Sequence, residues 1–514
     1  MPIQSFLPSS LVATAGPILG LYFVANAFYQ LLFSPLRHVP GPWYAAISEI
    51  WFVSHLVRLR QCKIIHQLFE EYGPIVRYAP GKVAYLDTPS NKRVYMNYQM
   101  AKGPQYKGFM INDSDWSMTL LPHSEHVVRK KAYASHYTAA NAALFQHETY
   151  QNVFVAVDIL SNIGGLSPVD CLVFFGQMIA DVICAANLAC DVGVLKSWGS
   201  SSGKHWLIRC IDDFPKRSFL RIVTPSWLFG MYYNIPIERW QQFLDCSKTL
   251  GEFVDRRVKE AKAQLTDGKL HDVEKLSLVQ RLIQTRLPSG ETMSDVDVVN
   301  ECIGHLAAGV ETTATMISYA CWEISRRPDI AQKLREELDS YMPDPKCIPD
   351  IAVLNGLPFL SAVLKETFRV YSPGPGLLQR VVPDSKNAPE PFNLLGYTLP
   401  SGTIVATQSY SMHRDPTVFP RPYDFRPERW LEADESGLAS MNQHMMAFGG
   451  GLRVCGGQHF AQQTIRATIA AIVRNFHIVS PSETNAWTME MVDGVVAFPR
   501  GRKCRLAFHP RLHS

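Results

Sequence analysis

Hydrophobic and polar positions divide the chain into a short apolar segment and a long remainder of mixed pattern. Residues 1–36 contain no Lys, Arg, Asp or Glu, and residues 11–33 are apolar apart from Thr14, Asn26 and Gln30. As a helix, 11–33 would measure roughly 34 Å, which is enough to cross a hydrocarbon core of about 30 Å. The pattern therefore predicts a transmembrane helix at about 11–33, inside an N-terminal membrane anchor that comprises residues 1–36.

A cleaved signal peptide and a buried helix are the alternatives to this anchor. Ala25-Asn26-Ala27 is similar to a cleavage site, but the apolar run continues to Phe33 and no basic region precedes it. Arg37 and several further basic residues follow the segment, and positive charge favours the cytosolic side of a membrane. We therefore expect a single-pass anchor, a proline-rich neck at 35–42, and a cytosolic main body.

The main body, residues 37–514, contains long helical patterns. One runs from about Asp295 to Ile324, with Ser294 as its N-cap and Asp297 completing a capping box. A second runs from Pro358 to Tyr371. No linker or repeat divides the main body, so we expect one large globular domain there.

Composition and charge narrow the class of protein. Of the 514 residues, 47% are hydrophobic, which excludes a disordered or low-complexity chain. The net charge is only +4 and there is no long basic run, so we expect no nucleic-acid partner. The 11 cysteines are odd in number and include no C-x-x-C pair, which favours a reducing compartment over a disulfide framework.

One cysteine lies in a glycine-rich segment. Residues 448–461 read Phe-Gly-Gly-Gly-Leu-Arg-Val-Cys-Gly-Gly-Gln-His-Phe-Ala. Glycines let the backbone bend and approach a flat ligand, and a helix that begins at or just after Cys455 would favour its thiolate. Arg453 could pair with a ligand carboxylate. These features indicate a haem site with Cys455 as the axial ligand to iron. A phosphate-binding glycine loop and a structural turn are the alternatives.

This segment resembles the haem-binding signature of the cytochrome P-450 family. Five fixed positions of the signature F-x-x-G-x-R-x-C-x-G are present, which makes the match specific: Phe448, Gly451, Arg453, Cys455 and Gly457. The resemblance implies that Cys455 is the metal ligand, and that Phe448, Gly449 and Arg453 also contact the haem.

A carboxylate and an arginine one helical turn apart lie where that family carries its E-x-x-R motif. Glu366 and Arg369 share one helix face, although an isolated pair of this kind is usually a surface salt bridge. Arg429 matches the third member of the family's network. The resemblance implies a buried Glu366–Arg369–Arg429 network beneath the haem. Trp430 stands where phenylalanine is commoner in the family, and this aromatic replacement leaves the match to the motif intact.

The long helix resembles the family's oxygen-activating helix. Its middle reads Ala308-Gly309-Val310-Glu311-Thr312-Thr313, similar to A/G-G-x-D/E-T-T. Thr312 can hydrogen-bond the Ala308 carbonyl and loosen one turn, leaving room for dioxygen and water. The resemblance implies that Thr312 delivers protons and that Glu311 links the relay to solvent. The alternative is a buried helix with ordinary small packing residues.

Further haem contacts are implied by the same resemblance. His126 and Lys130 match the family's W/H-x-x-x-R, with lysine where the family has arginine, and would reach the propionates as would Arg380. The reductase of the family docks through acidic residues, for which Arg129 and Lys131 are candidate partners.

The resemblance covers nearly the whole chain and implies a mainly α fold, with a large helical part and a small β-rich part that includes 75–87 and stretches after Arg380. It implies a monooxygenase that uses haem b, dioxygen and electrons from NADPH-cytochrome P-450 reductase, with cytochrome b5 as an optional partner. Two alternatives stay open: a haem-thiolate isomerase or dehydratase that needs no reductase, and a non-catalytic membrane-tethered haem binder.

Substrate and location follow from weaker signals. The cavity segments expected from the family are mostly apolar, which favours a lipophilic small molecule. The amino-acid sequence around Cys455 most resembles that of enzymes of filamentous fungi. This resemblance suggests a role in the specialised-metabolite biosynthesis of terpenoids, polyketides or alkaloids. An apolar cluster at 219–233 would form a second membrane contact. We expect the endoplasmic reticulum membrane, with the catalytic domain in the cytosol.

Overall fold

The computed structural model describes residues 9–97, 99–199, 204–266, 275–384 and 391–512. Its α-helices, in chain order, are α1 (Ser9–Leu32), α2 (Trp43–Ile47), α3 (Ile50–Val57), α4 (Gln61–Tyr72), α5 (Thr88–Lys92), α6 (His123–Ala134), α7 (Ala139–Leu144), α8 (Gln146–Ile163), α9 (Cys171–Leu188), α10 (Trp206–Val223), α11 (Ser226–Met231), α12 (Glu238–Leu244), α13 (Cys246–Thr266), α14 (Leu278–Gln284), α15 (Asp295–Ser325), α16 (Pro328–Tyr341), α17 (Ile351–Asn355), α18 (Pro358–Val370), α19 (Ser409–Met412), α20 (Arg429–Glu432), α21 (Glu435–His444) and α22 (Gln458–Asn475).

The strands are short: β1 (Ile75–Ala79), β2 (Lys82–Tyr85), β3 (Ala101–Lys102), β4 (Val169–Asp170), β5 (Arg380–Val381), β6 (Asn393–Leu394), β7 (Tyr397–Thr398), β8 (Ile404–Ala406), β9 (Phe476–Val479), β10 (Met491–Gly494), β11 (Val496–Pro499) and β12 (Arg505–Pro510). Short 3-10 helices include Pro104–Phe109 and Gly451–Arg453, and Arg93–Asn97 is a π-helix. The prediction of a mainly helical fold with a small β-rich part is confirmed.

The chain forms two compact units. Unit 1 comprises Met1–Ala101 and Leu377–Gln408, and unit 2 comprises Lys102–Gly376 and Ser409–Ser514. Helix α1 therefore belongs to the same unit as the main β-sheet.

Unit 1 is built around a sheet of order β1-β2-β8-β5-β3. Strand β2 pairs in parallel with β8, whereas β1 and β5 run antiparallel to their neighbours β2 and β8. The sheet thus joins the two segments that the sequence assigned to it. Apolar side chains of α3, α4 and the sheet form one core, which includes Phe52, Ile65, Phe69, Tyr78 and Ala406.

Unit 2 is organised around α15, which is buried along most of its length and packs against α9, α10, α13 and α22. The helix begins as predicted, because Ser294 Oγ accepts a hydrogen bond from the Asp297 amide at 3.1 Å. Two of its glycines permit close packing: a Cβ at Gly304 would lie 2.2 Å from the Trp116 ring, and one at Gly309 would lie 2.5 Å from Ile183 of α9. Helix α15 is therefore a fixed central element.

Within the part of the chain that the structure describes, a single helix, α9 (Cys171–Leu188), is long and apolar enough to cross a membrane. Its mean hydropathy is 1.8, and 83% of that stretch is buried inside the fold. Burial of this extent is typical of a core helix. Helix α1 differs, because its described apolar side chains are exposed, among them Ile18, Leu21, Phe23 and Val24.

Candidate active site

The cysteine loop joins α21 to α22 and has a tight backbone. The Cys455 amide donates to the Phe448 carbonyl at 2.9 Å, which closes the loop on itself. Gly449 and Gly451 have φ of +76° and +65°, a region that glycine adopts without strain. A Cβ at Gly456 would lie 3.1 Å from the ring of Tyr133, so the loop packs closely against α6. These constraints hold the cysteine in one position.

The Cys455 side chain is exposed, so a ligand can reach its sulfur. Burial by surrounding protein nevertheless raises the pKa of this thiol, against the opposing effects of the Gly457 amide and the Lys130 charge. Gly457 is the N-cap residue of α22, so the helix N-terminus does favour the thiolate, but burial has the larger effect on the pKa. Binding to a metal removes the thiol proton outright, and it is the metal that would set the thiolate here.

A cluster of cations lies beside the cysteine loop on α6 and its approach. Lys130 Nζ donates to the carbonyls of Leu452 and Val454 at 3.1 and 3.4 Å. Arg453 donates two hydrogen bonds to the carbonyls of Leu120 and Leu121, at 2.9 and 2.8 Å. Both side chains therefore hold the backbone near the cysteine in place by hydrogen bonds to carbonyl oxygens. Each also contributes a positive charge.

His126 is buried in the middle of these cations. Burial, together with the charges of Lys102, Arg453 and Lys130, lowers its pKa to about 2. Its Nδ1 atom is buried and has no hydrogen-bond partner among the described residues. A buried polar atom without a partner is costly, and a group of like charges repels itself. An anionic ligand with hydrogen-bonding oxygens would relieve both costs.

Lys102 is a member of this cluster that the sequence motifs did not reveal. It is buried, and its Nζ donates to the Met118 carbonyl at 2.6 Å. No pattern around Lys102 distinguishes it from a surface lysine, because the residues that bury it come from a distant loop.

Helix α15 contains the predicted hydrogen bond between a threonine and the carbonyl four residues earlier. Thr312 Oγ1 donates to the Ala308 carbonyl at 2.8 Å. Ala308 is exposed, whereas its neighbours Ala307 and Val310 are buried. The helix is nevertheless continuous through the motif, and Gly309 serves its packing against α9. Thr312 therefore lies next to an accessible patch in the middle of a buried helix.

Glu311 lies beside Thr312 on the same helix. Burial, and then the charge of Asp212, raises the pKa of Glu311 to about 7, while Lys216 and Lys204 lower it. Asp212 on α10 binds both lysines, at 2.7 Å to Lys204 and 3.0 Å to Lys216. Near neutral pH this carboxyl populates both protonation states, which a proton carrier requires. The sequence did not indicate the part that Asp212 plays.

The structure brings Glu366, Arg369 and Arg429 together in a buried network. Arg369 binds both carboxylate oxygens of Glu366, through Nε at 2.9 Å and Nη2 at 2.8 Å. Arg429 Nε donates to Glu366 Oε1 at 3.0 Å. Remaining arginine donors bind backbone carbonyls, for example Arg369 Nη1 to that of His413. The network thus ties α18 to the segment that precedes α20.

Trp430 is a fourth member of the network. Its Nε1 donates to Glu366 Oε2 at 3.0 Å, and both side chains are buried. Phenylalanine at this position has no donor. The indole N–H of Trp430 therefore supplies a hydrogen bond to a buried carboxylate that phenylalanine could not supply.

Three predicted residues need separate comment. Arg380 belongs to unit 1, where its guanidinium lies 4.9 Å from the centre of the Tyr95 ring; its contact with the haem stays a prediction. The ring of Phe448 packs at a tilt against Phe368 of α18, with 5.0 Å between the ring centres. Arg129 does not face outward for a partner, because it binds Asp297 of α15 at 2.8 Å and is largely buried.

The fold and the site together define a mainly helical protein with an accessible cysteine, Cys455, in a glycine-rich loop. A family comparison agrees: the cytochrome P450 family, here written cytochrome P-450, matches residues 45–504. The chain belongs to the cytochrome P-450 family, whose members are haem-thiolate monooxygenases.

Fungal relatives match over most of their length. The cytochrome P-450 monooxygenase orf2 of Aspergillus niger is 25% identical, over 98% of this chain and 99% of the relative. The monooxygenase cypX of Dothistroma septosporum is 24% identical over 97% and 96%. The N-acetyltryptophan 6-hydroxylase ivoC of Emericella nidulans is 27% identical over 89% of each chain.

Residues of unit 2 fit the haem that this family implies. The accessible sulfur of Cys455 would supply an axial ligand of the right chemistry, and the buried Nδ1 of His126, which has no hydrogen-bond partner among the described residues and lies among cations, suits an acidic cofactor. The fit rests on the donor set and on that buried polar atom.

Proposed function

We propose that this protein is a membrane-anchored monooxygenase that takes electrons from NADPH-cytochrome P-450 reductase and hydroxylates or otherwise oxidises a lipophilic small molecule. The observation that carries the proposal is the accessible Cys455 thiol in a chain that also retains the Thr312 hydroxyl beside Ala308. The relatives support it, since all those named above are monooxygenases or a hydroxylase. Their fungal origin supports a role in specialised-metabolite biosynthesis.

Each residue of the site then has a definite task. Cys455 would hold the iron of haem b, and His126, Lys130 and Arg453 would face its acidic side chains. When bound, haem supplies the iron at which dioxygen is activated. Thr312 holds a donor hydroxyl at an accessible position on α15, and Glu311 can receive a proton from solvent and pass one inward near neutral pH.

Membrane attachment is part of the proposal. The apolar and exposed side chains of α1 support a single-pass anchor in the endoplasmic reticulum membrane, with the catalytic domain, residues 37–514, in the cytosol. Trp227, Met231 and Tyr233 of the 219–233 cluster are exposed as well, which supports a second, interfacial contact. Phe229 is instead buried beneath Arg217 and Arg221.

Isotopic labelling tests the reaction class. With a lipophilic substrate that the enzyme converts, we expect one atom of ¹⁸O from ¹⁸O₂ in the product, and we expect its incorporation to require both NADPH and the reductase. Mass spectrometry of the product measures this. Product formed without reductase would favour the isomerase or dehydratase alternative, and haem binding without any turnover would favour the non-catalytic binder.

Thr312 offers a prediction on proton delivery. Replacement by alanine removes the hydroxyl beside Ala308, so Thr312→Ala should lower the fraction of NADPH that yields product by at least about tenfold, since a positioned proton donor typically contributes more than that. The remaining electrons should appear as hydrogen peroxide. Product, NADPH and peroxide are measured in the same reaction.

Thr312→Ser is the matched control, because serine keeps the hydroxyl and its bond to the Ala308 carbonyl. It should stay within a few-fold of the wild type. Equal coupling in the alanine and serine variants would exclude a role for the Thr312 hydroxyl.

A further inference from the structure

An arginine buried in the sheet of unit 1 has only neutral side-chain acceptors among the residues that the structure describes. Arg77 of β1 is 2% exposed. Its Nη1 donates to the Gln30 carbonyl at 3.0 Å, and its Nη2 donates to Gln30 Oε1, to Ser34 Oγ at 3.4 Å and to the Ala46 carbonyl at 3.3 Å. A buried cation normally has a carboxylate partner, because desolvation of an unpaired charge is costly. Arg77 therefore needs another source of negative charge.

The end of α1 supplies that charge. Gln30 lies in the last turn of α1, where the final carbonyls lack partners within the helix and carry together about half a negative charge. The last turn contains no basic residue of its own. The guanidinium and the helix end thus satisfy each other, as a cation at a helix C-terminus does.

The neck between α1 and α2 is held by the same residue. The Arg77 amide donates to the Pro40 carbonyl at 2.7 Å. Gly41 has φ of +152°, and a Cβ there would lie 2.4 Å from the Arg77 carbonyl oxygen. Asn26 of α1 also donates to the Ile47 carbonyl at 3.3 Å. The helix end, the neck and α2 therefore meet at one strand.

We propose that Arg77 is a clamp that fixes the angle between α1 and the sheet of unit 1. The proline rings stiffen the neck locally, and the Pro40 carbonyl joins it to the Arg77 amide, whereas the Arg77 guanidinium joins the end of α1 to the sheet. That the clamp also sets the tilt of unit 1 against a bilayer rests on the proposed anchoring of α1 in a membrane. Without the guanidinium, the helix end would lose its cation, and α1 would turn about the neck.

Interspin distances in the full-length, haem-loaded protein test this. Phe23 of α1 and Gln67 of α4 are both exposed, and each is replaced by an encoded ketone amino acid that carries a spin label. This chemistry leaves the native cysteines untouched. The labelled protein is placed in phosphatidylcholine nanodiscs. We expect a narrow distance distribution in the wild type. In Arg77→Met it should broaden at least about twofold, because a released neck samples many conformations.

Gln30→Leu combined with Ser34→Ala removes two acceptors and leaves Arg77 in place, so it should broaden the distribution as well, and it decides alone if Arg77→Met yields no haem-loaded protein. Lys82→Met is the control, since Lys82 binds Glu49 on the surface of the same sheet. A wild-type distribution that is already broad, or unchanged widths in these clamp variants, would overturn the clamp. Accessibility of the Phe23 label to dissolved oxygen reports membrane insertion separately, so failure of the anchor is distinguishable.

Discussion

Cys455→Ser should abolish the thiolate Soret band of the reduced, carbon monoxide-bound protein and reduce product formation below detection. The Cys455 sulfur is accessible in the loop and is the proposed axial ligand, and its position is fixed by the Phe448 carbonyl and by the packing of Gly456 on Tyr133. Serine preserves this backbone, but its hydroxyl remains protonated near neutral pH and is a hard ligand in place of a soft one. The difference spectrum of the membrane fraction measures the effect.

Cys347→Ser is the matched control, because Cys347 is also an exposed cysteine and lies outside the glycine loop. Its band and its activity should equal those of the wild type. A thiolate band that survived in Cys455→Ser would refute the assignment of the axial ligand, and with it the proposed activity.

Much of this site could be predicted because its chemistry restricts local sequence. A sharp loop around Cys455 needs glycines, and two of them indeed adopt positive φ. The hydrogen bond from Thr312 to Ala308 requires only a spacing of four residues on a helix, which the sequence displays. The sheet of unit 1 could be placed because the family resemblance supplied partners for its two distant segments.

Other features could not be predicted, because they depend on which residues the tertiary fold brings together. Lys102 joins the cations near His126 through burial that no local pattern records. The pKa of Cys455 reflects its enclosure more than its distance from a helix end. The sequence shows Arg77 only as an ordinary strand residue, since its acceptors Gln30 and Ala46 lie 47 and 31 positions earlier in the chain. Trp430 is a further example: the sequence shows an aromatic residue, but it does not show that the indole N–H donates to Glu366.

The Glu366 network yields a graded prediction. Glu366→Gln removes the charge that pairs with Arg369 and Arg429 and should reduce the stability of the haem-loaded protein by about 3–5 kcal/mol, since it leaves buried charges without a partner. Trp430→Phe removes one donor to a charged acceptor and should cost about 1.5–3 kcal/mol. Urea midpoints, followed by haem absorbance, and haem content per chain give both values.

Trp487→Phe controls for the loss of an indole as such, because Trp487 is 64% exposed and lies outside the network. It should change the stability by less than about 0.5 kcal/mol. The double variant Glu366→Gln with Trp430→Phe should cost less than the sum of the single variants, because each weakens or removes the same charge-assisted hydrogen bond. If the two costs add fully, or if Trp430→Phe matches Trp487→Phe, the indole N–H does not support Glu366, and Trp430 serves only as an apolar side chain of that core.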